Sequence, residues 1–281
     1  MQIQQLRNAT MIVSLGEHRL LVDPMLSDAG TMPGFKFIGG GRRNNPLVPL
    51  PEGTAKALAT VTAVVVTHEH PDHFDPRGLR WTKKRGLPVW TNGIAAPHLR
   101  RKGLDVHELV DGALGLSVEV VRSRHGRGAL GWLMGPVCGY FLAHPDEPSV
   151  YVIGDSVLTE AVLEAVERLR PDVIVAPAGA ANMGLGGDIL FSVDELVELT
   201  RRAPGEVVFN HLEALDHCPT TRSALRARME AEGLGEKIHI PADGEVLAFG
   251  SAPAHSPARP RAAVAEPPGF QKWLTAKLAG T

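Results

Sequence analysis

The run Thr67-His68-Glu69-His70-Pro71-Asp72-His73 places three imidazoles and the Asp72 carboxylate within six positions. In an extended or turning loop, His68 and His70 project to the same side, so both rings can reach one ion. Asp72 and His73 then turn toward a second. Neutral imidazole and carboxylate suit zinc, manganese or iron. A two-metal site needs further donors, one of them bridging. Asp155, in Gly154-Asp155-Ser156, is the candidate bridge, because the adjacent glycine lets the backbone approach closely. His125 and His211, each placed just after an extended stretch, are candidates for the remaining positions. Taken singly, Gly-Asp-Ser also reads as a turn with a helix N-cap, and a strand-end histidine is more often structural. Their occurrence together with the run favours ligation. Two cations about 3.5–4 Å apart would hold a bridging water as hydroxide near neutral pH, for attack on an electrophilic carbon or phosphorus. Asp72 can orient that nucleophile and pass its proton on, so no serine or cysteine nucleophile is needed.

These donors need rigid elements behind them. The β-branched run over 61–66 reads as a buried strand that delivers the histidine-rich loop. Short strands are expected before it over 2–6, 11–15 and 19–22, with a tight turn at Gly16-Glu17 and a strand end at Asp23-Pro24. More strands are expected over 88–90, 117–122, 137–142 and 150–153. Helices over 158–168, 193–202 and 221–232 then alternate with strands over 172–176 and 207–209. A terminal pair of strands, 238–240 and 245–249, closes the domain. This order suggests sheets covered by helices. The long stretch 27–51, rich in Gly, Pro, Asn and Arg and containing Arg42 and Arg43, is a candidate lid. The Gly-rich stretch 179–187 is a second loop expected to border the site. Arg122, Arg124 and Arg127 flank His125 and could receive an anionic group.

Composition narrows the class. The 281 residues suffice for one large domain or two small ones, with 44% hydrophobic and 21% charged residues. A formal net charge of -2 provides no basic field for nucleic acid. Cys138 and Cys218 are far apart and form no disulfide framework, which fits a reducing compartment. The N-terminus lacks the pattern of a secretory signal, and no apolar run reaches the roughly 20 residues of a membrane helix. A cytoplasmic protein acting on a small molecule, with neither nucleic acid nor membrane as partner, is expected. Self-association into a homo-oligomer is left open. Residues 1–250 are expected to form the hydrolase domain. Residues 251–281 form an Ala/Pro-rich tail that could end in a short helix.

The order His68-x-His70-x-Asp72-His73, then His125, Asp155 and His211, resembles the metallo-β-lactamase fold superfamily over residues 2–249. The resemblance implies an α/β fold, a four-layered αββα sandwich with the metals at one edge between the two sheets. It implies that His68, His70 and His125 hold one metal, that Asp72, His73 and His211 hold the other, and that Asp155 lies between them. Leu21-Val22-Asp23-Pro24 and the stretch from Asn210 to Cys218 resemble the branch of ascorbate-6-phosphate lactonase-like proteins. There Asp23 would orient a ligand imidazole. His217 would support the site, contact substrate, or stand in as ligand if His211 does not, with a capping or surface role as the plainer reading.

Secreted β-lactamases of this fold commonly carry Arg where this chain has His73, which argues against that activity. RNA-gripping nucleases insert a domain between the Asp155 and His211 equivalents, an interval of only 55 residues here. Glyoxalase-II-like thioesterases carry a C-terminal helical domain for which the tail is short. What remains is a hydrolase of a small ester, lactone or phosphoester using two divalent ions, zinc foremost, with manganese or iron as alternatives. An iron-dependent oxidoreductase and a non-catalytic binding module are the readings from other classes.

Overall fold

The computed structural model describes residues 1–36, 40–184 and 187–250. The expected tail over 251–281 lies outside the described residues, as do 37–39 and 185–186 of the two candidate loops. Strands β1 (Gln2–Arg7), β2 (Thr10–Leu15), β3 (His18–Val22), β4 (Ala63–Val66), β5 (Val89–Thr91) and β6 (Val106–Glu108) build the first sheet. The second contains β7 (Ser117–Arg124), β8 (Pro136–Ala143), β9 (Val150–Val152), β10 (Val173–Pro177), β11 (Glu206–Asn210) and β12 (Ile238–His239). The last strand, β13 (Val246–Ala248), returns to the first sheet beside β1. Helices α1 (Thr54–Ala59), α2 (Pro76–Arg85) and α3 (Ala96–Arg101) follow strands of the first sheet. Helix α4 (Gly128–Met134) lies between β7 and β8, whereas α5 (Glu160–Leu169), α6 (Val193–Arg202) and α7 (Arg222–Ala231) belong with the second sheet.

Side-chain alternation explains the layering. Val13, Leu20 and Val65 of the first sheet share one buried cluster with Tyr140, Val152 and Val175 of the second, so the two sheets pack face to face. The intervening residues Leu21, Val64 and Val66 point outward and meet Leu58 and Leu99 from α1 and α3. On the opposite side, Ile174 and Ala176 meet Val166, Leu196 and Leu225 from α5, α6 and α7. The result is an αββα sandwich. Because β4 is covered on both faces, its sequence is an unbroken apolar run.

Strand direction gathers the candidate ligands. Strands β3 to β6 are parallel, and so are β9 to β12. Two antiparallel pairings carry β7 in the same direction as β9. Asp23 follows β3, the histidine-rich loop follows β4, His125 follows β7, Asp155 comes shortly after β9, and His211 follows β11. All therefore stand beyond the carboxyl ends of their strands.

The two terminal strands expected as a pair do not pair with each other: β12 adds to β11 and β13 to β1. Apolar content alone cannot tell which sheet a two- or three-residue strand joins. Helices α1 to α4 and strand β6 lie where the sequence reading expects no element. Helices α1, α3 and α4 have seven residues or fewer, and α2, although ten residues long, is dominated by basic residues and buries only Gly78 and Thr82. Among the described residues, no helix is long and apolar enough to cross a membrane.

One buried charge ties the hairpin to the long loop. A register shift between Gln5 and Arg7 accompanies the end of β1, and Arg7 has no exposed surface. Its guanidinium donates to the carbonyls of Met25 (2.8 Å), Ser27 (2.9 Å) and Val48 (3.0 Å), joining both ends of the candidate lid. Burial lowers the guanidinium to about 10, against the pull of Asp75, Asp243 and Asp28. Arg7→Met should leave three carbonyls without their donor and destabilise the fold by about 2–4 kcal/mol in urea unfolding. Arg7→Lys should recover only part of that loss, because an ammonium lacks the planar fork.

Candidate metal centre

The loop after β4 is closed on itself and then runs into α2. His73 N and Phe74 N both donate to His70 O at 2.9 Å, and Asp75 caps α2 by accepting from Gly78 N at 2.6 Å. A Cβ on Gly78 would lie 1.9 Å from Pro24 O, so only glycine lets this helix start so close to the end of β3. Behind the loop, Tyr140 Oη donates to Val66 O (2.7 Å) and accepts from Asn92 Nδ2 (2.9 Å). Asn92 also donates to Thr67 O.

The structure brings all seven candidate ligands together, in two groups. His68, His70 and His125 form the first, with His70 Nδ1 3.1 Å from His68 Nε2. Asp72, His73, Asp155 and His211 form the second, with every ligand atom within 4.8 Å of the others. Asp155 touches both. Its Oδ2 lies 3.2 Å from His125 Nε2 and 3.9 Å from His68 Nε2, while its Oδ1 lies 3.0 Å from His73 Nε2 and 3.7 Å from His211 Nε2. Gly154, at φ 69°, brings the chain in tightly: a Cβ there would lie 3.2 Å from Cys138 O and 3.3 Å from Thr67 Cβ.

The outer nitrogens of the rings are committed elsewhere. His73 Nδ1 meets Asp23 Oδ2 at 2.7 Å, and His125 Nδ1 meets Ile189 O at 2.8 Å. Thr67 Oγ1 donates to Asp23 Oδ2 (2.6 Å) and lies 3.0 Å from His68 Nδ1. His211 Nδ1 lies 3.5 Å from Cys218 Sγ. Each contact turns an Nε2 inward, as metal-binding imidazoles require. Three buried atoms that make no hydrogen bond, His73 Nε2, Asp155 Oδ1 and His211 Nε2, then face one another. Buried polar atoms seldom lack partners, and a cation at that point would satisfy all three. The donor set therefore fits a metal.

The two groups differ in charge. Burial, reinforced by neighbouring imidazoles, lowers His68 well below its ordinary value and His70 to about 4, and His125 is lowered as well. These rings are neutral donors. In the second group burial opposes charge, yet Asp155 and Asp23 raise His73 to about 10. Asp155, Cys218 and Asp72 raise His211 well above its usual range. The same contacts hold Asp72 and Asp155 well below theirs, although burial works the other way. Two buried carboxylates thus demand positive charge, which protons or a divalent cation can meet.

The remaining candidates lie around this centre. His217 is buried at its margin, edge-on to Phe35 with ring centroids 5.4 Å apart. Arg124 is exposed at the end of β7, and Arg127 pairs with Glu195 of α6 instead of facing the ligands. Sequence reasoning missed Asn8, whose Nδ2 donates to Asp72 O (3.1 Å) and whose carbonyl accepts from His211 N (3.0 Å). An asparagine between two short strands suggests a turn and nothing about a distant ligand; here it has φ 55°. Thr67 and Cys218 were likewise given no role toward the rings.

Residues 18–211 match the family described as beta-lactamase superfamily domain. The UPF0173 protein YddR of Bacillus subtilis is 32% identical over 89% of this chain and 100% of its own length. An isothiocyanate hydrolase from Delia radicum gut bacteria has a solved structure with TM-score 0.80 and 32% identity, covering 89% of this chain and 99% of that one. A possible metal-dependent hydrolase from Veillonella parvula gives TM-score 0.81 at 28% identity, with the same coverage of both chains. The chain belongs to the β-lactamase superfamily and, within it, to the UPF0173 family of metal-dependent hydrolases.

Asp23→Asn should lower metal affinity about 10- to 100-fold with the fold retained, read by chelator competition alongside circular dichroism. Zinc at a thousandfold excess over its Kd should stabilise the wild-type chain by about 4 kcal/mol, and chelation should remove that gain in a melting experiment.

Proposed function

We propose that the protein is a dinuclear metal-dependent hydrolase, with zinc as the resident ion, acting on a small-molecule ester, lactone, phosphoester or related electrophile. The observation that carries this reading is the convergence of three partnerless buried atoms beside a set of three neutral imidazoles, with one Asp155 oxygen toward each group. In this reading His68, His70 and His125 hold one cation, Asp72, His73 and His211 hold the other, and Asp155 joins them. When bound, the two ions supply an acidified water and polarise the bond under attack.

The chain's own groups do the rest. Asp23 and Thr67 keep the His73 and His68 rings in register for the cations they would hold. Asp72 turns Oδ2 toward His211 at 3.4 Å and keeps Oδ1 to orient the attacking water and accept its proton. Phe35 and Met183, from the described parts of the two candidate loops, pack on the apolar cluster that includes Ile189 and Cys218. The isothiocyanate hydrolase relative extends the range of suitable electrophiles to the central carbon of a heteroallene, which water attacks as it does an ester carbonyl.

Protein purified without chelator should contain two equivalents of zinc and hydrolyse one class from a panel of esters, lactones, phosphodiesters and isothiocyanates. Asp72→Asn should lower kcat about 10²- to 10⁴-fold while the first group of ligands still retains metal. Iron with oxygen consumption would replace this reading with a redox one. A chain that neither contains nor takes up metal would leave only a binding role.

A further inference from the structure

A largely apolar wall stands beside two of the candidate ligands. Met25, Met32, Ile189, Leu215 and Cys218 form one buried cluster, with Phe35, Met134 and Met183 half-buried against it. The cluster reaches both groups of candidate ligands from behind, at the ring nitrogens turned away from the centre: Ile189 O lies 2.8 Å from His125 Nδ1, and Cys218 Sγ lies 3.5 Å from His211 Nδ1. Two of the chain's seven methionines are in it and two more pack against it, and flexible thioethers let a wall adapt to apolar groups of varied shape. Trp132 and Leu133 continue this character onto the exposed face of α4.

One polar ring is set into that wall. His217 is 5% exposed, and its Nδ1 has no hydrogen-bond partner. Asp216, next to it in sequence, is occupied with the long loop. Its carboxylate accepts from Phe35 N (2.9 Å), Lys36 N (3.3 Å), Arg43 N (3.2 Å) and Asn45 Nδ2 (3.0 Å), leaving Oδ1 3.9 Å from His217 Nδ1. The clasp holds Phe35 against the His217 ring without satisfying that ring. Nearby positive charge is partly turned aside, since Arg42 Nε donates to Gly34 O and Arg127 pairs with Glu195.

Resting on the hydrolase reading, we propose that the substrate is small, uncharged and largely apolar. Its apolar part packs on Phe35, Met134 and Met183, and one heteroatom meets the His217 imidazole. A mostly apolar pocket with one placed polar group orients a ligand in this way, whereas a carboxylate against that wall would be left unpaired.

Benzohydroxamate and 4-carboxybenzohydroxamate share one metal-chelating head and differ by a single charge. Calorimetry on the zinc-loaded full chain should show the uncharged probe binding about tenfold tighter or more. Met134→Lys should narrow or invert that preference. His217→Phe should weaken the uncharged probe several-fold at unchanged zinc content and melting temperature, and His217→Asn should restore part of the loss. Equal binding, or tighter binding of the carboxylate, overturns the proposal in favour of an anionic substrate received by Arg124. Two bound zinc ions with no binding of either probe overturns it and leaves the hydrolase reading standing. Failure to take up zinc overturns both.

Discussion

The site depends on one carboxylate that is not among its candidate ligands. Asp23 ends β3 in the left-handed region, at φ 46°, with its carbonyl held by Thr10 and its amide bonded to β4. From there Oδ1 accepts the Thr67 amide, while Oδ2 takes both the Thr67 hydroxyl and His73 Nδ1. Through His73 it fixes one ligand group, and through Thr67 it reaches His68 of the other. A residue held in an uncommon conformation at such a junction persists because the surroundings determine it from several sides. The tight start of α2 against Pro24 and the bracing by Tyr140 and Asn92 serve the same end.

The two ligand groups are unequal by construction. The first offers neutral rings and little net demand for charge; the second holds two buried carboxylates against two imidazoles that they keep basic. Placing Asp155 between them lets one side chain face both environments through different oxygens. A mobile group could not keep both contacts, which is why Gly154 and the close approach of Cys138 and Thr67 belong to the site as much as the carboxylate does.

Much of this is legible in the amino-acid sequence. The histidine-rich run, the β-branched strand ahead of it and the later strand-end residues pointed to one centre, because ligand chemistry restricts residue type and strand ends restrict position. The resemblance to the lactonase-like branch implies Asp23 as an orienting residue, whereas its reach through Thr67 to His68 has no counterpart in the sequence pattern. What stayed hidden rests on contacts between distant segments. Asn8 meets the Asp72 carbonyl through its side-chain amide and the His211 amide through its own carbonyl, across 64 residues of chain or more, and no local pattern announces either contact. Short helices such as α1 and α3 bury too few side chains to show a period. The separation of β12 from β13 is a choice between two sheets of similar composition, and local pattern does not make it. The apolar wall is drawn from four separate stretches, none conspicuous alone.

The pairing of β1 with β13 has a consequence in time. Gln2 lies opposite Ala248, and Asn8 waits for His211, so the first hairpin is synthesised early and completed last. Until the distal chain arrives, the outer edge of β1 is open to pairing with any extended strand, including that of another nascent copy. Closing contacts over such sequence distances is entropically slow. In the reading proposed above, capture of a cation by the group that contains His211 is therefore a late event in biogenesis and reports that β11 has reached the first hairpin.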